Sequence, residues 1–281
     1  MKRPNFTWHL IGVGILLGTH APAPGQEKDA DVRLAKAVAR VKHIIAHRGS
    51  SADRPENTLA SYRRAMESGA TMFEIDVRRT KDDVLISLHD ADLKRTTNGK
   101  GPARDRTFAE IRKLDAGSWF DPRYKDERVP SMREILDLSR GKSDILLDLQ
   151  EQGEDYARRV ADEIRDFGEP KRTWVGVRSV EQAKLFRMLL PQSKQIGLIP
   201  NAASIDAFAE AKVEMIRLWP KWLGDKTLIP RVRSHGLMLH LNGTLGAEDE
   251  TRTLLAHEPD SLASDDPARL ARTLKKFSRG K

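Results

Sequence analysis

The chain has 281 residues, of which 39% are hydrophobic and 32% charged, with a formal net charge of +8 and no cysteine. The length suits one α/β barrel, for which roughly 250 residues is typical, and the composition describes a soluble globular protein with a highly charged surface. The absence of cysteine excludes disulfides, thiolate metal sites and thiol nucleophiles. The positive balance favours anionic partners without choosing among phosphate esters, lipid headgroups and nucleic acid.

Residues 1–25 differ from the rest. Lys2 and Arg3 precede an apolar run at 10–18 and then Ala21-Pro22-Ala23-Pro24-Gly25. This is the layout of a signal peptide, with cleavage expected after Gly25. The apolar run is shorter than the ~20 residues a membrane span requires, so no stable membrane anchor is expected after cleavage and the protein is expected to be exported, periplasmic or secreted. A polar lead-in helix is expected over 26–41.

From there short apolar or β-branched runs alternate with amphipathic stretches. Strands are expected at 44–46, 72–77, 84–88, 145–149, 174–177, 195–199, 215–218, 237–241 and 261–263. Helices are expected at 59–68, 156–166, 180–190, 205–211, 248–256 and 268–277. Sustained strand–helix alternation with no second domain predicts a TIM-type (β/α)8 barrel over 42–281. One connection breaks the pattern. The strands at 72–77 and 84–88 are separated by Arg78-Arg79-Thr80-Lys81-Asp82-Asp83, too short for a parallel crossover, so a hairpin is expected. A two-residue turn at Asp82-Asp83 would set Asp76 opposite His89.

The polar residues that interrupt the strands gather at their C-terminal ends, where barrel enzymes carry their chemistry. His47-Arg48-Gly49 follows the first strand. Glu74 and Asp76 are two apart and so share a face of theirs. His89-Asp90 ends the third, and Asp148 and Gln150 share a face at 145–149. Carboxylates crowded on one face repel unless a cation lies between them, and oxygen-only ligands suit Ca²⁺ or Mg²⁺.

These residues, with Pro55-Glu56-Asn57-Thr58, the run from His89 to Gly101, Asp115-Ala116-Gly117-Ser118-Trp119-Phe120, Val129-Pro130-Ser131 and Ala263-Ser264-Asp265-Asp266-Pro267, resemble the glycerophosphodiester phosphodiesterases. The likeness is dense over 43–150 and thin over 170–260. It implies a barrel that binds one divalent cation and hydrolyses a deacylated phospholipid to sn-glycerol 3-phosphate and an alcohol. It further implies that His47 and His89 are the acid–base pair, that Glu74, Asp76 and Asp148 are metal ligands, and that Arg48 contacts phosphate. Residues 93–129 correspond to the family's small insertion, expected to cap the mouth.

The pattern also departs from the family, whose usual Glu-x-Lys is Asp148-Leu149-Gln150 here. Gln150 takes the place of a lysine facing phosphate, and Arg178 on the next strand is expected to supply the missing charge. Trp219 is expected to fill the mouth where the family's tryptophan is lacking. These departures keep two other readings open: a related phosphodiesterase acting on lysophospholipid or phosphoinositol diesters, and a non-catalytic phosphodiester-binding barrel. The basic residues are scattered without an aromatic-plus-basic cluster, so the expected partner is a small-molecule phosphodiester and not nucleic acid.

Overall fold

A computed structural model describes residues 24–279 of the chain. The signal peptide expected over 1–25 lies outside the described residues but for Pro24 and Gly25. Among the described residues no helix is long and apolar enough to cross a membrane.

Nine strands form one sheet: β1 (His43–Ala46), β2 (Met72–Arg79), β3 (Leu85–Ser87), β4 (Asp144–Leu149), β5 (Thr173–Val177), β6 (Lys194–Gly197), β7 (Met215–Leu218), β8 (Met238–Thr244) and β9 (Ser261–Ser264). All but β3 run parallel, and β1 pairs with both β2 and β9, which closes an eight-stranded barrel. All nine expected strands are present, each within a few residues of its expected bounds.

Alternation along each strand decides which way its side chains face. Phe73, Ile75 and Val77 of β2, Leu147 and Leu149 of β4, and Ile216 and Leu218 of β7 belong to the large core shared with the helices. Their neighbours Met72, Leu146 and Met215 join Ile45, Trp174 and Ile196 in a separate cluster that plugs the barrel. The inward face then turns polar toward the strand ends, with Glu74, Asp148 and Arg217 in register above Met72, Leu146 and Met215.

The helices are α1 (Pro24–Arg40), α2 (Leu59–Glu67), α3 (Phe108–Ile111), α4 (Met132–Ser139), α5 (Glu154–Phe167), α6 (Val180–Leu189), α7 (Ile205–Glu210), α8 (Leu228–Ser234), α9 (Glu248–Leu255) and α10 (Pro267–Phe277). Several begin with side-chain caps that satisfy their free N–H groups. Thr58 and Ser131 open α2 and α4 with capping boxes, and Asp266 caps α10 ahead of Pro267. The lead-in helix α1 packs against α9 and α10, and Arg40 near its end pairs with Asp260 at 3.2 Å.

The expected β2–β3 hairpin is present, but its register differs by one residue. Val77 pairs with Ser87 and Arg79 with Leu85, and the Leu88 N–H donates to the Asp76 carbonyl at 2.9 Å. Asp76 therefore lies opposite Leu88, not His89. The cause is the turn: Thr80 and Val84 close it, and Lys81, Asp82 and Asp83 form a three-residue loop with Asp83 at φ 56°. Three-residue hairpin loops place their last residue in the left-handed region, which aspartate tolerates. β2 continues past the end of β1, and β3 takes the pairing edge that this frees.

Residues 93–129 follow β3. Leu93, Ala103, Ile111, Ala116 and Val129 pack on Ile86 and Leu88 in a small core of their own. The segment also touches the loop after β1. Tyr124 Oη donates to the Asp53 carbonyl at 3.4 Å, and Glu127 accepts from the Ala60 N–H at 3.3 Å.

Candidate active site

The site begins where β1 ends. The His47 N–H still bonds to the Ser264 carbonyl of β9 at 3.0 Å, and the chain then turns through Arg48 (φ 57°) and Gly49 (φ 81°). Only glycine fits at 49, because a Cβ there would lie 2.7 Å from the Ser61 carbonyl carbon. The turn aims the Arg48 N–H at Glu74 Oε2, 2.8 Å away.

Glu74, Asp76 and Asp148 each bring a carboxylate oxygen within 4.8 Å of the others. Glu74 and Asp76 are buried, at 5% and 0% exposure. Burial and the neighbouring Asp76 raise the Glu74 pKa to about 8. Burial also raises Asp148, against the pull of Arg178. Asp76 is held by its neighbours. Asn57 Nδ2 donates to it at 2.8 Å and Gln150 Nε2 at 2.6 Å, and Arg48 Nε lies 3.3 Å away. Oxygen donors crowded this closely, two of them raised by burial and by their neighbours' negative charge, fit a hard divalent cation.

Both histidines have carboxylate partners. His47 Nδ1 lies 2.6 Å from Asp265 Oδ1 and His89 Nδ1 2.8 Å from Asp90 Oδ1. Burial lowers the His47 pKa, but the Asp265 hydrogen bond and the Glu74 charge outweigh it and raise it to about 9. A chain of ion pairs links the two ends of the site. Asp90 meets Arg95 at 2.6 Å, Arg95 grips Glu56 with two bonds of 2.8 Å, and Glu56 accepts from Arg48 at 2.9 Å. The Arg95 hydrogen bond holds Asp90 down at about 2.

Three expectations look different in place. The Gln150 amide donates to a metal-ligand candidate, Asp76. Arg178 lies at the expected strand end, but its guanidinium forms an ion pair with Asp148 and donates to the Leu149 carbonyl at 3.3 Å. Its charge thus balances the third carboxylate. Trp219 is half-buried and stacks on Arg217, with the guanidinium 4.2 Å from the ring centroid. A small cavity below the mouth is lined by His47, Glu74, Asp148, Arg217, His240 and Asn242.

Asn57, Glu56, Arg95, Asp265 and Arg217 join the site without a sequence-based expectation. The first four lie inside motifs that carried the family resemblance, which was the available signal. Arg217 had only its spacing, two residues from Trp219 on one strand face.

The family model for "Glycerophosphoryl diester phosphodiesterase family" matches residues 47–269. The chain belongs to that family. A glycerophosphodiester phosphodiesterase of Caldanaerobacter subterraneus subsp. tengcongensis is 30% identical over 240 residues, 83% of this chain and 98% of the relative. Glycerophosphodiester phosphodiesterase 1 of Rattus norvegicus is 47% identical over 94 residues, 33% of this chain and 28% of that one. The crystal structure of a glycerophosphodiester phosphodiesterase from Agrobacterium tumefaciens superposes with TM-score 0.73 at 29% identity, covering 82% of this chain and 99% of that one. A phosphodiesterase from Oleispira antarctica, solved with its product sn-glycerol-3-phosphate, shares the fold with TM-score 0.74 at 22% identity, covering 85% of this chain and 99% of that one. By family this barrel is a phosphoric diester hydrolase.

Proposed function

We propose that the chain hydrolyses glycerophosphodiesters to sn-glycerol 3-phosphate and an alcohol in a reaction that depends on one divalent cation, Ca²⁺ or Mg²⁺. The observation that carries this reading is the cluster of Glu74, Asp76 and Asp148, set beside an imidazole that has its own carboxylate. These three residues would hold the cation. When bound it neutralises charge on the phosphoryl oxygens.

The protein's own groups do the rest. Asp265 and Asp90 accept hydrogen bonds from the Nδ1–H groups of His47 and His89, which leaves each Nε2 for proton transfer. One imidazole takes the proton of the attacking hydroxyl, from water or from the neighbouring glycerol hydroxyl. The other protonates the leaving oxygen. Glu56 accepts from the Arg48 guanidinium and Asp76 lies beside its Nε, which leaves its remaining edge for a phosphoryl oxygen. Gln150 holds Asp76 in place, and Arg178 balances Asp148. The insertion over 93–129 shapes the choice of headgroup, with half-exposed Trp119 available to substrate. We read residues 1–25 as an export signal, which N-terminal sequencing of the secreted or periplasmic protein would test.

Assaying purified protein on glycerophosphocholine and glycerophosphoethanolamine tests the main reading. Release of sn-glycerol 3-phosphate is expected with Ca²⁺ or Mg²⁺ and is expected to stop on chelation. His47→Ala and His89→Ala should each lower kcat by about a hundredfold or more. No release with either cation would overturn the assignment.

A further inference from the structure

Among the described residues, the arginines named at the site are ion-paired, with one exception. Arg48 pairs with Glu56 and Asp76, Arg95 with Glu56 and Asp90, and Arg178 with Asp148. Arg217 is only 8% exposed, and its buried Nε has no hydrogen-bond partner. Among the described residues its guanidinium forms no ion pair; it lies on the Trp219 ring and faces the Asp148 and Glu74 carboxylates across the cavity without pairing with either. Burying an arginine without an anion paired to it is costly, and an anionic ligand would offset that cost.

We propose that Arg217 is a phosphoryl-binding residue, which supplies from β7 the positive charge that Gln150 does not provide just past the end of β4. Geometry sets its direction. Met215 and Arg217 share the inward face of β7, so the guanidinium points into the cavity that His47, Glu74 and Asp148 also line. The Trp219 ring, two residues on, holds the guanidinium plane. His240 beside it is fully buried and kept neutral, its pKa lowered to about 3 by burial and by Arg217 itself. It therefore adds no competing positive charge.

Charge balance points the same way. Arg48 and Arg95 are offset by Glu56 and Asp90, and the three carboxylates by a divalent cation and Arg178, so Arg217 is left as a single surplus charge. A phosphodiester carries one negative charge to match it. Burial brings the Arg217 pKa down to about 10, which still leaves it charged at neutral pH.

The inference rests on the phosphodiesterase reading, and its test separates the two. The binding of sn-glycerol 3-phosphate and of inorganic phosphate would be measured by calorimetry on cation-loaded wild type, Arg217→Gln and Arg217→Lys. Cation affinity would be measured separately on chelated protein. Arg217→Gln is expected to weaken both anions about tenfold to a hundredfold, the range for a lost charge-assisted hydrogen bond. Arg217→Lys should recover part of that loss. Cation affinity should hold or tighten, because a positive charge near the carboxylates has gone. If Arg217 instead served only to balance the carboxylates, its loss would leave anion affinity within twofold whatever the cation affinity, which would overturn the proposal. Trp219→Leu keeps the charge and frees its orientation, so it should weaken anion binding by a smaller factor even if Arg217→Gln fails to fold. Anion affinity unchanged in Trp219→Leu and in Arg217→Lys would also count against it. Should wild type hydrolyse no glycerophosphodiester yet bind phosphate through Arg217, the functional reading fails and the anion site stands.

Discussion

The Nδ1 of each candidate catalytic imidazole is already occupied by a carboxylate, which fixes the tautomer before substrate arrives. The two pairs are not equivalent. His47 adds the field of Glu74 to its Asp265 bond and is raised to about 9, whereas Asp90 divides itself between His89 and Arg95. His47 is raised above its unfolded value, so its contribution to stability is complete below about pH 6.5 and is lost as pH rises through about 9. Asp265→Asn removes the charge but keeps the shape. It should lower kcat about tenfold to a hundredfold, as loss of a histidine's orienting partner does elsewhere, with little change in KM. It should also move the upper limb of the pH–rate profile to lower pH. A merely structural role for Asp265 would change melting temperature and leave that limb in place.

At the scale of the element, the turn after β1 couples the fold to the site most tightly. Arg48 and Gly49 are both left-handed, and the same turn presents a backbone N–H to Glu74. Gly49→Ala forces a Cβ against the Ser61 backbone and strains φ, which should cost about 2 kcal/mol or more of stability. Cation affinity should fall with it as Glu74 shifts. Chemical denaturation and calorimetry check both, and a variant of wild-type stability would refute the steric argument. The nine strands were readable because most hold a short apolar or β-branched run of strand length between amphipathic stretches. The hairpin register was not, since it depends on a left-handed Asp83 that no local pattern announces. Helix α4 was passed over although its capping box Ser131-x-x-Glu134 was visible, and α8 was hidden by Pro230, which sits in its first turn where proline is tolerated. The site divides in the same way. Glu74, Asp76 and Asp148 interrupt strands, His47 follows directly on one, and all four stand out in sequence. Asp265 and His47 are 218 residues apart, and only barrel closure through β1 and β9 brings them together.

For the whole molecule, closing the barrel forces carboxylates from β2 and β4 into one interior, and the protein bears this electrostatic cost when no cation is bound. Glu74, raised to about 8, holds its proton across a range where the unfolded chain has lost it. The native state therefore binds more protons between about pH 4.5 and pH 8, and the stability from this group falls as pH rises through that window. Asp148, also raised, acts in the same direction. A cation binds the deprotonated carboxylates and releases their protons, so its affinity should increase with pH over the same window. Chelated protein should lose stability from pH 5 to pH 8 by more than cation-loaded protein does. The stabilisation on adding Ca²⁺ or Mg²⁺ should grow in parallel, reaching about 2.7 kcal/mol where the free cation stands at a hundred times its Kd. Denaturation at pH 5, 6.5 and 8, with chelator and with each cation, reads the effect directly. Stabilisation that is flat or declining with pH would mean that the three carboxylates do not take up the ion together. The Glu74→Gln variant supplies the control. It removes the proton-linked group, so the chelated variant should lose the pH slope, and its cation-dependent stabilisation should be smaller at every pH.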